Sequence, residues 1–148
     1  MQKRFFYTIF TFVAVCFASC GEEGRTYEAI ETTAIDFANA YFNYDLVKAQ
    51  TMVDDQSKKW LRYEASNITE ADLELLRMQE EGATVTVDDC ECFEDSAVVT
   101  VTANNFLLAD SLCSKGRMVE EKTFTIVLMQ DSSKKWKVRM EGPLRSGM

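Results

Sequence analysis

The hydrophobic period of this chain changes once, at Gly82-Ala83, and that change confines the fold to helices followed by strands. Before it, Ile30, Ala34, Phe37, Ala38, Tyr41 and Phe42 recur at three- and four-residue intervals, the stripe of an amphipathic helix from about Tyr27 to Tyr44. After it the apolar residues alternate: Val85 and Val87, then Ala97, Val99, Val101 and Ala103, then Phe124, Ile126 and Leu128, then Trp136, Val138 and Met140. A helical stripe repeats every 3.6 residues and a strand face every two, so neither pattern serves the other structure.

Within the helical half, Asp45 is placed to cap a second short helix carrying Leu46, Ala49 and Val53. A third helix is expected from Asp54 or Asp55 through Ala65, burying Trp60 and Leu61. Thr69 with Asp72 three residues on forms a capping-box pattern, with Asp in the usual Glu place, and Ile68 and Leu73 stand where a hydrophobic staple forms. The spacing predicts a fourth helix over Glu70-Glu81, ending before Gly82. Asn67-Ile68-Thr69 also spells a glycosylation acceptor, but capping suits an exported bacterial chain better.

In the strand half, turn residues at Phe93-Glu94-Asp95, near Ser114-Lys115-Gly116 and at Asp131-Ser132-Ser133 separate four strands, which should pair consecutively as an antiparallel meander. Alternation implies one face against helices and one toward water. The expected class is α+β, with N-terminal helices packed on a curved four-stranded antiparallel sheet. Its outer face would bear Thr100, Thr102, Asn104, Thr123, Thr125, Val127 and Met129. Such a face could meet another protein or a second copy in a homodimer, although threonine's β-propensity alone accounts for the composition. Lys134, Lys135, Lys137 and Arg139 around Trp136 and Val138 read as charged protection of an edge strand. Met118, Met129 and Met140 read as packing.

Ahead of the domain, Lys3 and Arg4 precede an uncharged run from Phe5 to Ser19 that closes on small residues, the order of a secretory signal. A spanning helix needs about 20 apolar residues, and this shorter run contains Thr8, Thr11 and Ser19. Phe17-Ala18-Ser19-Cys20 resembles the lipobox of bacterial lipoproteins, whose cysteine is acylated and becomes the mature N-terminus. Ala18 and Ser19 match, while Phe17 stands where leucine is commonest. The resemblance implies a signal peptide over 1–19, a lipidated Cys20 with a polar tether over 20–26, a domain over 27–142 and a tail over 143–148. Gly21 after the cysteine implies sorting to the outer membrane, and Glu22-Glu23 resembles surface-export signals. The expected location is therefore the bacterial cell envelope, on the periplasmic or exposed side of the outer membrane. One acyl chain, at about 0.8 kcal/mol per buried CH₂, holds a protein only marginally, so stable anchoring takes more than one.

Removing 1–19 takes away Lys3 and Arg4 and no acid, so the net charge moves from −8 to about −10, which disfavours nucleic acid and anionic lipid as partners. Beyond Cys20 there are Cys90, Cys92 and Cys113, an odd number in an exported chain, so at least one is free or paired between molecules. Cys90-Glu91-Cys92 could present two thiolates on one face of a strand, but zinc wants four ligands and the chain has no histidine. The plainer reading is two small, partly buried residues beside an acidic turn, with no metal and no cofactor. A bridge to Cys113 is not expected, because a strand from about Ser96 to Ala109 spans ~45 Å at ~3.3 Å per residue.

Ala34-x-x-Phe37-x-x-Ala40 followed by Asp45-x-x-x-Ala49 resembles the opening of nuclear-transport-factor-2-like domains, and Lys135-Trp136-Lys137-Val138 resembles their final strand. Together with the lipobox, the pattern is similar to small bacterial lipoproteins of the lumazine-binding-like type, of unknown function, over roughly Tyr27 to Gly142. The resemblance implies a cystatin-like cone. It does not choose a function, since the superfamily holds both enzymes and binding proteins. The expected function is a membrane-anchored lipoprotein with a non-catalytic ligand- or protein-binding accessory domain, working through the cone interior or the sheet face. The alternative is a small-molecule isomerase or hydrolyase of the ketosteroid-isomerase type, with Asp36, Tyr41 and Asp55 as candidates. There a buried carboxylate removes a proton and a tyrosine stabilises the enolate. Asp45 and Asp54 stand at helix starts, where capping is the ordinary role of aspartate.

Overall fold

A computed structural model describes residues 20–109 and 115–144, with side chains from Gly24 onward. The signal segment, Cys113 and residues 145–148 lie outside the described residues. Four helices, α1 (Cys20–Phe42), α2 (Leu46–Gln50), α3 (Lys58–Asn67) and α4 (Glu70–Arg77), precede four strands, β1 (Thr84–Cys92), β2 (Ser96–Leu108), β3 (Arg117–Gln130) and β4 (Trp136–Arg139). The strands lie in the order β1-β2-β3-β4, every neighbour antiparallel, which is the expected meander. Helix α1 crosses all four strands. It buries Ile30, Ala34, Phe37, Ala38, Tyr41 and Phe42 against Ala97, Val99, Val101 and Ala103 of β2 and Phe124, Ile126 and Leu128 of β3. Among the described residues no helix is long and apolar enough to cross a membrane.

Two helix boundaries differ from expectation at the N-terminal side. Helix α1 begins at Cys20, so the segment expected as a tether is helical. Arg25 and Glu28, in the first described turns, are good helix formers. At its other end Tyr44 takes a left-handed conformation with φ 62°, and Asn43 joins the two halves of the fold. Its Nδ2 donates to the carbonyls of Asn39 and Ala83 at 2.8 and 2.9 Å, and its Oδ1 accepts from the Ala83 N–H at 2.9 Å. The side chain thus closes the helical half onto the residue where the hydrophobic period changes.

Asp45 caps α2 as expected, its Oδ1 accepting from the Lys48 N–H at 3.1 Å. Helix α3, however, starts at Lys58, not at Asp54 or Asp55. Asp54 Oδ1 accepts from the Ser57 N–H at 2.9 Å and from the Ser57 hydroxyl, and Oδ2 accepts from Arg139 Nε at 3.1 Å. Ser57 is fully buried and its Oγ accepts from the Met140 N–H at 2.7 Å. Asp54 is therefore a brace between the helical layer and β4. Met52 and Asp54 also pair with that strand by backbone: the Val138 N–H donates to Met52 at 2.8 Å and the Asp54 N–H to Val138 at 3.0 Å. Leu61 is buried, whereas Trp60 is only half-buried.

Helix α4 has the capping box read from Thr69 and Asp72: the Asp72 N–H donates to Thr69 Oγ1 at 3.2 Å and the Thr69 N–H to Asp72 Oδ2 at 2.9 Å. It ends at Arg77, short of the expected Glu81. Long-range contacts take over there, with Gln79 Nε2 donating to the Asn105 carbonyl at 2.8 Å and Asn105 Nδ2 to the Glu81 carbonyl at 2.7 Å. Among the described elements α4 touches only β2 and β3.

Candidate functional site

Concave space within the cone would be the first place to seek chemistry, and aromatic rings fill it. Phe37, Tyr41 and Phe42 from α1 meet Phe106 of β2 and Phe124 of β3, with ring centroids 4.8 to 5.7 Å apart. Phe37, Tyr41, Phe42 and Phe106 are fully or almost fully buried. Such edge-on and tilted pairs add to area burial. Lys122 Nζ lies 5.7 Å from the Phe124 ring, a cation over the negative ring face.

The three residues of the catalytic alternative are not brought together. Tyr41 is fully buried and its hydroxyl accepts from the Leu144 N–H at 2.9 Å. Asp36 is exposed on α1. Asp55, with a side chain 93% exposed, pairs with Lys58 at 2.7 Å. A proton-abstracting carboxylate needs a dry, convergent setting to act at neutral pH, and neither aspartate has one.

An open cleft instead lies between α4 and the adjoining ends of β2 and β3. It has a volume of about 430 Å³ and is lined by Leu75, Met78, Gln79, Glu80, Glu81, Asn105 and Met118. Asn105 shapes it: at φ 54° it interrupts the alternation of β2. Beyond it Phe106 and Leu108 enter the main core, while Leu107 is buried outside that cluster and faces Gly116. Asn105 then holds the 79–81 segment by the two hydrogen bonds already described. Met78 is 76% exposed, a large apolar side chain left at the cleft's edge. Sequence reading missed this site, because it needs Gln79 and Asn105 to meet. The one local signal was Asn104-Asn105 within a strand, where asparagine is disfavoured.

A second grouping of reactive side chains lies on β1. Val85 and Val87 face α1, and Asp88 is then an extra residue, the β1–β2 pairing stepping from Val87↔Val101 to Asp89↔Thr100. The bulge changes the facing of every later residue. Asp88 turns outward, its carboxylate accepting from Thr102 Oγ1 at 2.5 Å, and Cys90 and Cys92 turn toward the core side opposite Val99 and Ala97. Both are free and half-buried, and the register puts them on the same face of the strand. Burial, the Cys92 thiol, Glu31 and Asp89 push the Cys90 thiol up to about 11. Among the described residues no three His, Cys, Asp or Glu side chains group to hold a metal.

The outer sheet face carries threonines in register: Thr86, Thr102 and Thr123 lie side by side, as do Thr100 and Thr125. Thr102 and Thr123 hydroxyls are 3.2 Å apart. Lys137 and Arg139, expected to shield the β4 edge, reach back instead: Lys137 Nζ donates to the Thr51 carbonyl at 2.7 Å and Arg139 to Asp54.

No family model and no curated protein matches the sequence. Among solved structures, a Mycobacterium tuberculosis protein of unknown function aligns with a TM-score of 0.53 and 10% identity, covering 84% of this chain and 73% of that one. A Campylobacter jejuni protein, provisionally described as a nuclear-transport-factor-2-like transpeptidase, aligns with a TM-score of 0.47 and 14% identity, covering 75% of this chain and 97% of that one. The likeness is one of fold. Helices packed on a four-stranded antiparallel sheet form the α+β arrangement expected from the sequence.

Proposed function

We propose that the chain is a lipid-anchored envelope protein whose domain binds a ligand without transforming it, and that the cleft beside α4 is where it binds. The supporting observation is the contrast between the two concave regions of the fold. Aromatic rings fill the cone, whereas the cleft is open at about 430 Å³, within the range of about 300–1,000 Å³ usual for small-ligand sites. Leu75, Met78 and Met118 give it a deformable apolar wall, methionine being the side chain that adapts most readily to a partner. Glu80 and Glu81 give it negative charge on a protein that is already acidic. The complementary ligand is a peptide segment that pairs a basic with an apolar side chain.

The test is an amide-resonance titration of labelled protein with a tetrapeptide of alternating lysine and leucine. Saturable shifts are expected at Gln79–Glu81, Asn105 and Met118. Replacing Glu80 and Glu81 together by lysine should weaken binding at least about tenfold, equivalent to ~1.4 kcal/mol. Shifts confined to another surface, or an affinity unchanged in the double variant, would remove the cleft from consideration. The isomerase alternative rests on Asp36, Tyr41 and Asp55, and the separate placement of these residues gives it no support.

A further inference from the structure

We propose that Cys90 and Cys92 form a reversible dithiol/disulfide centre on the free edge strand of the sheet, oxidised by thiol–disulfide exchange with a small-molecule disulfide or the disulfide of an exchange protein. The inference is independent of the cleft. It starts from the bulge at Asp88, without which the two thiols would point to solvent on the face of Thr86 and Asp88. With the bulge, both turn to the core side of the sheet, on the same face. Among the described strands β1 is a sheet edge, so an exchange partner can approach the pair from the side.

The geometry favours a bridge that closes and reopens. Residues two apart on a strand have Cα atoms about 6.6 Å apart at ~3.3 Å rise per residue, at the upper end of the ~4.4–6.8 Å that disulfides span, and Cβ atoms about as far apart, beyond the ~3.5–4.5 Å that a disulfide needs. Closing the bond must therefore shorten the strand locally. An edge strand beside a bulge can yield in this way, since among the described strands β2 alone hydrogen-bonds to it. A bridge made under such tension is more easily reduced than a relaxed structural one.

The chemistry balances as two successive exchanges. The Cys92 thiolate attacks one sulfur of the reagent disulfide, whose S–S bond breaks, and the released thiolate takes a proton from water. Cys90, deprotonated in turn, attacks the Cys92 sulfur of the mixed disulfide, a Cys90–Cys92 bond forms, and the second reagent thiol departs. Two electrons pass from the pair to the reagent disulfide, and two protons leave the cysteines for the two reagent thiols. Cys90 suits the second step. Its thiol, raised by burial first and by the neighbouring Cys92 second, is the poorer first nucleophile and attacks only when the mixed disulfide stands beside it.

The experiment uses the full chain carrying Cys16→Ser, Cys20→Ser and Cys113→Ser, so that Cys90 and Cys92 are its only thiols. The protein is equilibrated with oxidised glutathione at a ratio that fully oxidises dithiothreitol, alkylated, cleaved after glutamate and weighed by mass spectrometry. Cleavage at Glu91 separates Cys90 from Cys92, so a bridge holds the two peptides together. Expected are loss of both alkylatable thiols, one linked peptide pair in monomeric protein, and no glutathione adduct. Cys90→Ser and Cys92→Ser should each accumulate the adduct on the remaining cysteine, and dithiothreitol should restore both thiols in the parent. Two free thiols, stable adducts in the parent, or linkage found only in dimers would each overturn the proposal. The single-serine adducts show separately that each thiol is reachable.

Discussion

Asp54 illustrates how little the identity of a residue reveals about its work. Read along the chain it is a helix cap or a candidate acid; folded, it receives Ser57 and Arg139 and joins α3 to β4. Burial opposes its ionisation, but the hydrogen bonds from Ser57 and Arg139 outweigh that cost and hold its pKa below the usual carboxylate value. A lowered folded pKa means the folded state resists protonation. The stabilisation is then complete above the unfolded carboxylate value of ~3.9 and disappears as pH falls through the lower folded value. Asp54→Ala should cost about 2 kcal/mol at pH 7, the scale of hydrogen bonds to a charged group. Urea denaturation should show the gap between parent and variant narrowing from pH ~5 toward ~2. A gap that stays constant would mean that the charge contributes nothing.

Elements were legible where the signal was local and obscure where a distant residue decided. The capping box at Thr69 and Asp72 needs only three residues and was read directly, as were the four strands and their turns. The end of α4 was not, because it depends on Gln79 meeting Asn105, 26 residues away. Nor was the bulge at Asp88, although the apolar positions shift there from odd (Val85, Val87) to even (Cys90, Cys92) numbers. Helix α4 offers a graded test of local against distant bonding. Thr69→Ala should cost ~1 kcal/mol, the usual value of an N-cap. Asp72→Ala should cost more, about 2–3 kcal/mol, because Asp72 is buried and also accepts from the Gly116 N–H at 2.8 Å, which would be left unpaired. Gly116→Ala probes the same junction from the other side. Its Cβ would lie 3.0 Å from both Asp72 Oδ1 and Leu107 Cδ1, so destabilisation without loss of α4 helicity is expected from circular dichroism. Equal losses for Thr69→Ala and Asp72→Ala would show that the Gly116 bond adds nothing.

At the scale of the whole molecule the period change at Gly82-Ala83 sufficed to order the layers, because a helix stripe and a sheet face each need the other for burial. The proposed cleft was not legible in that pattern, since fold does not carry function and the interior that could have housed a substrate is packed with rings. What would fix the molecule's place is the opening of α1. Among the residues of that helix whose side chains are described the first buried one is Ile30, and the ten residues from Cys20 to Ala29 span ~15 Å at 1.5 Å per helical residue. A lipid on Cys20 would hold the domain at that distance from the bilayer on a helical stalk, where a coil would let it collapse onto the surface. Electrostatics cannot substitute for that lipid, because a protein of net charge −8 is repelled by anionic headgroups. Labelled palmitate should therefore enter the parent chain and not Cys20→Ser. The parent should also stay with membranes through a high-salt wash while the variant is released. Equal incorporation in the two, or release of the parent by salt, would refute acylation at Cys20 as the anchor.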